Sequence, residues 1–244
     1  MSMSRSDSGD DTVRKRSGWL IPLAVVLVVG VLSVFFLLYY LFPTPPPLFA
    51  EQVSPTSDTT PVEVEISGTK LWIPSNYMVF ESTRHGGRRR EVPLFSILPD
   101  LSGWSNWSAG DFSDNSPKSP VVFITIREDR MNLSEADRMQ RIYLAYITDP
   151  KGKTGASGLT RYAFRQDSGY RGEDLFAAQT AQGLMLLHCA KLSVDVPSPN
   201  CWRDMTMARG LSVTYRFKRS KLGHWRDIAD NIAKLMDTFQ HPPK

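Results

Sequence analysis

A run of 24 residues with no charged side chain, WLIPLAVVLVVGVLSVFFLLYYLF at positions 19–42, constrains this chain more than any other feature. With a helical rise of about 1.5 Å per residue it extends roughly 36 Å, enough to cross a hydrocarbon core of about 30 Å with some tilt. A single isolated span must be a helix, because each backbone amide has to find its partner within the segment. Trp19 at one end and Tyr39 and Tyr40 at the other suit the two interfacial belts, and Pro22 falls in the first turn, where its missing N–H costs least.

Orientation follows from the flanks. Arg14, Lys15 and Arg16 precede the span, whereas residues 43–61 contain no Lys or Arg. The positive-inside rule then puts the N-terminus in the cytoplasm and the C-terminal bulk outside: periplasmic for a bacterial inner-membrane protein, or a type II plasma-membrane protein in a eukaryote. A cleaved leader is the rival reading. Its apolar region usually runs about 7–15 residues and ends at an A-x-A-like site, and Leu48-Phe49-Ala50 beyond a proline cluster is a poor one.

This divides the chain into a cytoplasmic tail (1–18), a transmembrane helix (19–42), a Pro/Ser/Thr-rich stalk (43–61) and an extracytoplasmic domain (62–244). The tail has no apolar periodicity. The PTPPP run at 43–47 favours an extended polyproline II spacer. The outer part, roughly 180 residues, is long enough for one domain with its own core. The chain carries a formal +4, and the tail's four basic and three acidic residues leave +3 for the remainder. That charge and that compartment both argue against nucleic acid as a partner.

The outer domain reads as α+β: a mostly antiparallel sheet with two packed helices, the second C-terminal. Residues 62–66 alternate apolar with acidic, Ser67-Gly68-Thr69 is turn chemistry, and 70–73 return as the second strand of a hairpin. Further strands are expected at 77–80 and 92–97 around an arginine-rich Gly86-Gly87 turn, and at 121–126 (VVFITI, the most strand-like run, expected to be central). Others are expected at 160–164, 174–178, 184–190, 203–207 and 211–217. Ser134-Glu135-Ala136-Asp137 resembles a capping box that opens a helix to about Tyr146. In the last helix, Trp225, Ile228, Ala229, Ile232, Leu235, Met236 and Phe239 make one apolar face, which predicts packing on the sheet.

The two cysteines, Cys189 and Cys201, flank the short turn Val196-Pro197-Ser198-Pro199-Asn200 on the outer side of the membrane. An oxidising compartment and hairpin proximity predict a disulfide between them. Catalytic signals are thin. His85, His188, His224 and His241 share no metal-ligand spacing, and neither GxSxG nor HExxH occurs. Gly152-Lys153-Thr154 resembles the end of a P-loop, but Ile147 stands where the first glycine belongs. His188 beside Cys189 is no thiol–imidazole pair, since neighbours on a strand point to opposite faces. The sequons at Asn106 and Asn132 matter only in a eukaryote. No cofactor or metal is called for.

Two features remain as candidate partner-binding surfaces. Arg84, Arg88, Arg89 and Arg90 surround the Gly86-Gly87 turn, read as an exposed hairpin tip, and Lys218, Arg219 and Lys221 precede the last helix. Trp104, Trp107 and Phe112 lie in a long loop over 99–120, either as an adaptable binding edge or folded back as a lid on the core. The favoured reading is a membrane-anchored, non-catalytic module that binds another envelope protein, as a subunit or as a neutralising partner. The alternative is an anchored envelope hydrolase with a dispersed site, with Asp100, His85 and Glu128 as the residues to inspect.

The topology has a direct readout. A C-terminal fusion to an exported phosphatase is expected to be active and a C-terminal cytoplasmic fluorophore silent. Release of a soluble form beginning near Glu51 would instead identify a cleaved leader.

Overall fold

The computed structural model describes residues 18–41, 51–129, 133–207 and 210–243. The expected cytoplasmic tail up to residue 17, residues 42–50 of the expected span's end and stalk, and Asn132 lie outside the described residues. Two compact units are present, Met1–Glu51 and Gln52–Lys244. In the first, helix α1 (Leu20–Leu41) is uninterrupted, and within it Ile21–Tyr40 is long and apolar enough to cross a membrane, a property that anchors share with signal sequences.

The second unit starts at Gln52 rather than Val62, so the end of the expected stalk belongs to the folded domain. Ser54 N donates to Val79 O at 3.1 Å, and Ser54 O accepts from Arg84 Nη1 at 2.6 Å. Strands β1 (Pro61–Ile66) and β2 (Thr69–Pro74) form the expected hairpin. Its two-residue turn has φ of 50° at Ser67 and 80° at Gly68, the paired positive values that match strand twist in tight hairpins. The short β3 (Gly87–Arg88) adds to β1 in parallel.

An eight-stranded antiparallel sheet makes up the rest, in the order β4-β5-β11-β10-β9-β8-β7-β6. Its strands are β4 (Glu91–Ile97), β5 (Val121–Glu128), β6 (Lys153–Thr154), β7 (Thr160–Ala163), β8 (Glu173–Thr180), β9 (Gly183–Ala190), β10 (Asn200–Met207) and β11 (Leu211–Lys218). The short helix α2 (Ala109–Ser113) lies in the long loop before β5, α3 (Glu135–Arg141) follows β5, and α4 (Trp225–Phe239) ends the domain. The VVFITI strand, β5, is paired on both sides but is second from the edge rather than central.

One face of the sheet, here the inner face, packs with α4 and the β1–β2 hairpin. Val64, Ile66, Leu71 and Ile73 share one buried cluster with Ile124, Leu187, Tyr215, Trp225, Ile228, Ile232 and Phe239. The apolar stripe of α4 is therefore core, as its spacing predicts, with Leu235 only partly buried. On β8 and β9 the other, outer face is covered as well. Met139, Tyr143 and Ile147 pack there with Phe164, Leu175, Ala177 and Leu186. Two-sided burial is why Leu184-Met185-Leu186-Leu187 reads as a continuous apolar run rather than an alternation.

Two expected elements differ. Residues 77–80 do not form a strand: Ser75–Tyr77 is a 3₁₀ turn, and only the isolated bridges Met78–Leu94 and Val53–Phe80 follow it. This segment lies along β4, with Val79 N donating to Pro93 O, and so shields an otherwise open sheet edge. The helix opened by Ser134, whose hydroxyl accepts from Asp137 N at 3.0 Å, stops at Arg141 and tightens into a 3₁₀ turn at Tyr143–Ala145. The interruption falls at Ile142 and Tyr143, a β-branched and an aromatic residue that lose rotamer freedom in a helix.

Strands β9 and β10 pair at two positions only, Cys189 opposite Cys201 and His188 opposite Trp202. Beyond them the strands part, and α3 fills the gap. Glu135 Oε1 accepts from Leu186 N at 2.8 Å and from Arg203 Nε at 3.0 Å, while Oε2 accepts from Arg203 Nη2 at 2.7 Å. Arg138 Nη2 donates to Asp204 O. Desolvation weakens the Arg203 charge, but the bonds from Glu135 outweigh it and the guanidinium is held above its ordinary range.

Glu135→Ala strands a buried guanidinium and a strand amide together. Urea denaturation is expected to register a loss of about 3–5 kcal/mol, whereas the paired change Glu135→Leu with Arg203→Met should cost less because no charge is left buried.

Candidate partner-binding face

A row of seven side chains crosses the outer face, one from each strand except β6. Following the strand register, Tyr162 lies beside Leu175, then His188, Trp202, Arg216, Phe123 and Phe95. Directly opposed residues share a sheet face, so this row is a consequence of register alone. His188 stacks on Trp202 with ring centroids 5.5 Å apart, its Nδ1 lies 2.9 Å from Glu173 Oε2, and Tyr143 packs edge-on against it at 4.8 Å. Arg216 sits over the Phe123 ring at 5.1 Å.

The two ends of the row are roofed. At the β7–β9 end, Tyr143 and Tyr170 close over Phe164 and His188, and burial pushes the Tyr143 phenol up to about 12. At the β4 end, Trp104 and Phe112 fold back on Val79, Phe95 and Val121, with Phe112 4.7 Å from Phe95. Trp107 does not join them and is 98% exposed. The loop is thus both lid and exposed edge, divided between different residues.

Between the roofs the face is open. Trp202 is half-buried and Phe123 is 43% exposed. With Thr125, Thr214, Arg216 and Val196 they line a depression of about 490 Å³. A second cavity of about 570 Å³ adjoins the far ends of β5, β10 and β11 and takes in Arg90, Glu91, Arg127, Glu128, Arg138 and Asp204. Arg127 and Asp204 stand 3.6 Å apart there. This cavity includes Glu128 but neither Asp100 nor His85, so the three residues of the hydrolase alternative do not line one site.

Two loops border the open strip, and one side chain holds both. Lys218 is buried, and its Nζ donates to Asn115 Oδ1 at 2.7 Å and to Ser198 O at 3.4 Å. Removal from water depresses its ammonium pKa, with nearby Arg216 acting in the same direction. Cys189 and Cys201 are joined as expected, at the start of the second loop and against the inner core.

The arginine cluster is not a hairpin tip. Ser82–His85 is a 3₁₀ turn, and Gly86, at φ 66°, leads into β3 where a Cβ would lie 2.6 Å from Glu63 O. Arg84 is spent on Ser54, and Arg89 donates to Gly86 O at 3.2 Å and Ser82 O at 2.6 Å. Arg88 pairs with Glu65 at 3.2 Å, and Arg90 is exposed at the mouth of the 570 Å³ cavity. The second basic group is also largely structural. Arg219 donates to Ala190 O at 2.7 Å and to Asp174 Oδ2 at 2.6 Å, where Asp174, 1% exposed, also takes Arg161 at 2.8 Å.

No protein-family model matches this chain, and no curated protein matches it in sequence. Among solved structures it is similar to Smlt3025, an immunity protein of the Stenotrophomonas maltophilia type IV secretion system, at TM-score 0.52 and 16% identity. The alignment covers 78% of this chain and 99% of that one. At that identity the likeness is one of fold.

Removing the disulfide should loosen this face before the rest. Cys189→Ala with Cys201→Ala is expected to lower stability by about 3 kcal/mol. Hydrogen exchange should show protection lost first at His188, Trp202 and their neighbours, with α4 still protected.

Proposed function

We propose that this chain is a membrane-tethered module of the cell envelope that captures and neutralises a partner protein, held in the inner membrane by α1 with its folded domain in the periplasm. The observation that carries the reading is the open middle of the outer face, where Trp202, Phe123 and Arg216 lie side by side between two roofed ends. Tryptophan, aromatic and arginine side chains dominate binding energy at protein interfaces, and a depression between rigid borders favours a specific partner. The fold it shares with an immunity protein supports a neutralising rather than a purely scaffolding role. The basic flank before α1 and the cystine support the periplasmic orientation. Within this reading, Arg88, Arg90 and Trp107 remain peripheral contacts, Trp104 and Phe112 form the roof at the β4 end, and Arg84 and Arg89 hold the Ser54 segment and their own loop.

A photo-cross-linking residue in place of Phe123, in the full-length protein in its own membrane, is expected to give one discrete protein adduct that the same residue at Lys234, on the solvent side of α4, does not. Deleting the gene should impair growth in a way that loss of the cross-linked partner's gene relieves. Unimpaired growth together with no adduct at Phe123 would reject the proposal.

A further inference from the structure

The loop closed by the cystine carries an apolar ridge that serves no core. Leu192 is 71%, Val194 98% and Val196 38% exposed, three aliphatic side chains at every second position. Scattered surface aliphatics are ordinary, but three within five residues on one turn form a patch. The turn is rigid. Ser193 N donates to Val196 O at 3.3 Å and Val196 N donates back to Ser193 O at 3.2 Å, which puts Val194 and Asp195 at the tip. Its base is tied as firmly: Lys191 N donates to Gly172 O at 2.8 Å, Arg219 N to Pro199 O at 2.9 Å, and Lys218 reaches Ser198 O. Val196 also lines the depression with Phe123 and Trp202, so the ridge is continuous with the open face.

We infer that residues 191–199 are an insertion loop that plugs an apolar cleft on the captured protein, with Leu192 and Val194 as the buried anchors and Arg216 meeting an acidic rim. This rests on the partner-capturing reading above. A convex, prearranged tip requires a concave receiver, and its order in advance removes much of the entropic cost of binding. Charge selects the rim. Among the described residues the Arg216 guanidinium is met by the Phe123 ring and by no carboxylate, which leaves its fork for a carboxylate of the partner. A bilayer is a poor receiver. Asp195 sits at the tip, where a carboxylate opposes entry into hydrocarbon, and the Lys191 ammonium that would attract anionic lipid already donates to Arg171 O at 2.7 Å.

The test uses the full-length protein in its native membrane, with the photo-cross-linker at Val194 and, separately, at Phe123. The expected result is the same protein adduct from both positions. Leu192→Asp with Val194→Asp should reduce the Phe123 adduct about tenfold or more. Both substituted side chains are exposed, so an unchanged melting temperature and an intact cystine are the folding controls. An adduct from Phe123 that survives the double change, with none from Val194, overturns the insertion loop and leaves the capture function standing. Adducts from Val194 to lipid alone, or to a second copy of this chain alone, overturn it in favour of those receivers. No adduct at either position overturns the insertion loop and, together with unimpaired growth of the gene deletion, overturns the capture reading as well.

Discussion

The two-position junction between β9 and β10 is the constraint on which this domain depends. An eight-stranded sheet is here two four-stranded blocks, β4-β5-β11-β10 and β9-β8-β7-β6, joined where Cys189 faces Cys201 and His188 faces Trp202. A ladder so short contributes little hydrogen bonding. The join is secured instead by a covalent bond on the inner face and an aromatic stack on the outer one. Where the blocks diverge, the backbone groups of Leu186 and Asp204 find partners in Glu135 and Arg138 of α3. A buried strand amide without a partner is costly, so α3 is part of the sheet's hydrogen-bonding scheme as well as a cover.

From that junction the character of the outer face follows. The α3 segment must lie over the divergence, so it roofs the β8–β9 side. The aromatic loop before β5 roofs the β4 side, and the centre, over β10, β11 and β5, is left to a row of Trp202, Arg216 and Phe123. Most of the inner face is filled by α4 and the β1–β2 hairpin, with a depression of about 420 Å³ left where α4 borders Met185, Arg203 and Met205. On the proposed reading, a partner would therefore meet the sheet from its outer side, between the two roofed ends.

Local patterns were legible in the residue order and long-range ones were not. The β1–β2 hairpin, the apolar stripe of α4, the Ser134 cap and the cystine are each written within a short window, where period, turn residues and cap chemistry act together. The 77–80 segment has a strand's composition, but its role is to shield an edge, which depends on where β4 lies. The arginines near Gly86 look like a free cluster because composition cannot reveal that Arg84 reaches Ser54 or that Arg89 turns back onto its own loop. The seven-residue row is spread between Phe95 and Arg216, and only strand order brings it together. One signal did exist for the exposed ridge. Leu192, Val194 and Val196 alternate outside any strand, a period-2 pattern beside prolines that no sheet absorbs.

Lys218 gives the two border loops a common fate. Its ammonium holds Asn115 in one loop and Ser198 in the other, from a site closed to water. A substitution that displaces either acceptor leaves a buried cation short of partners and so penalises the neighbouring loop too. The loops therefore do not drift independently. A change in one of them requires a matching adjustment in the other or the loss of Lys218 itself, and lineages of this fold should exchange the two loops as a linked pair.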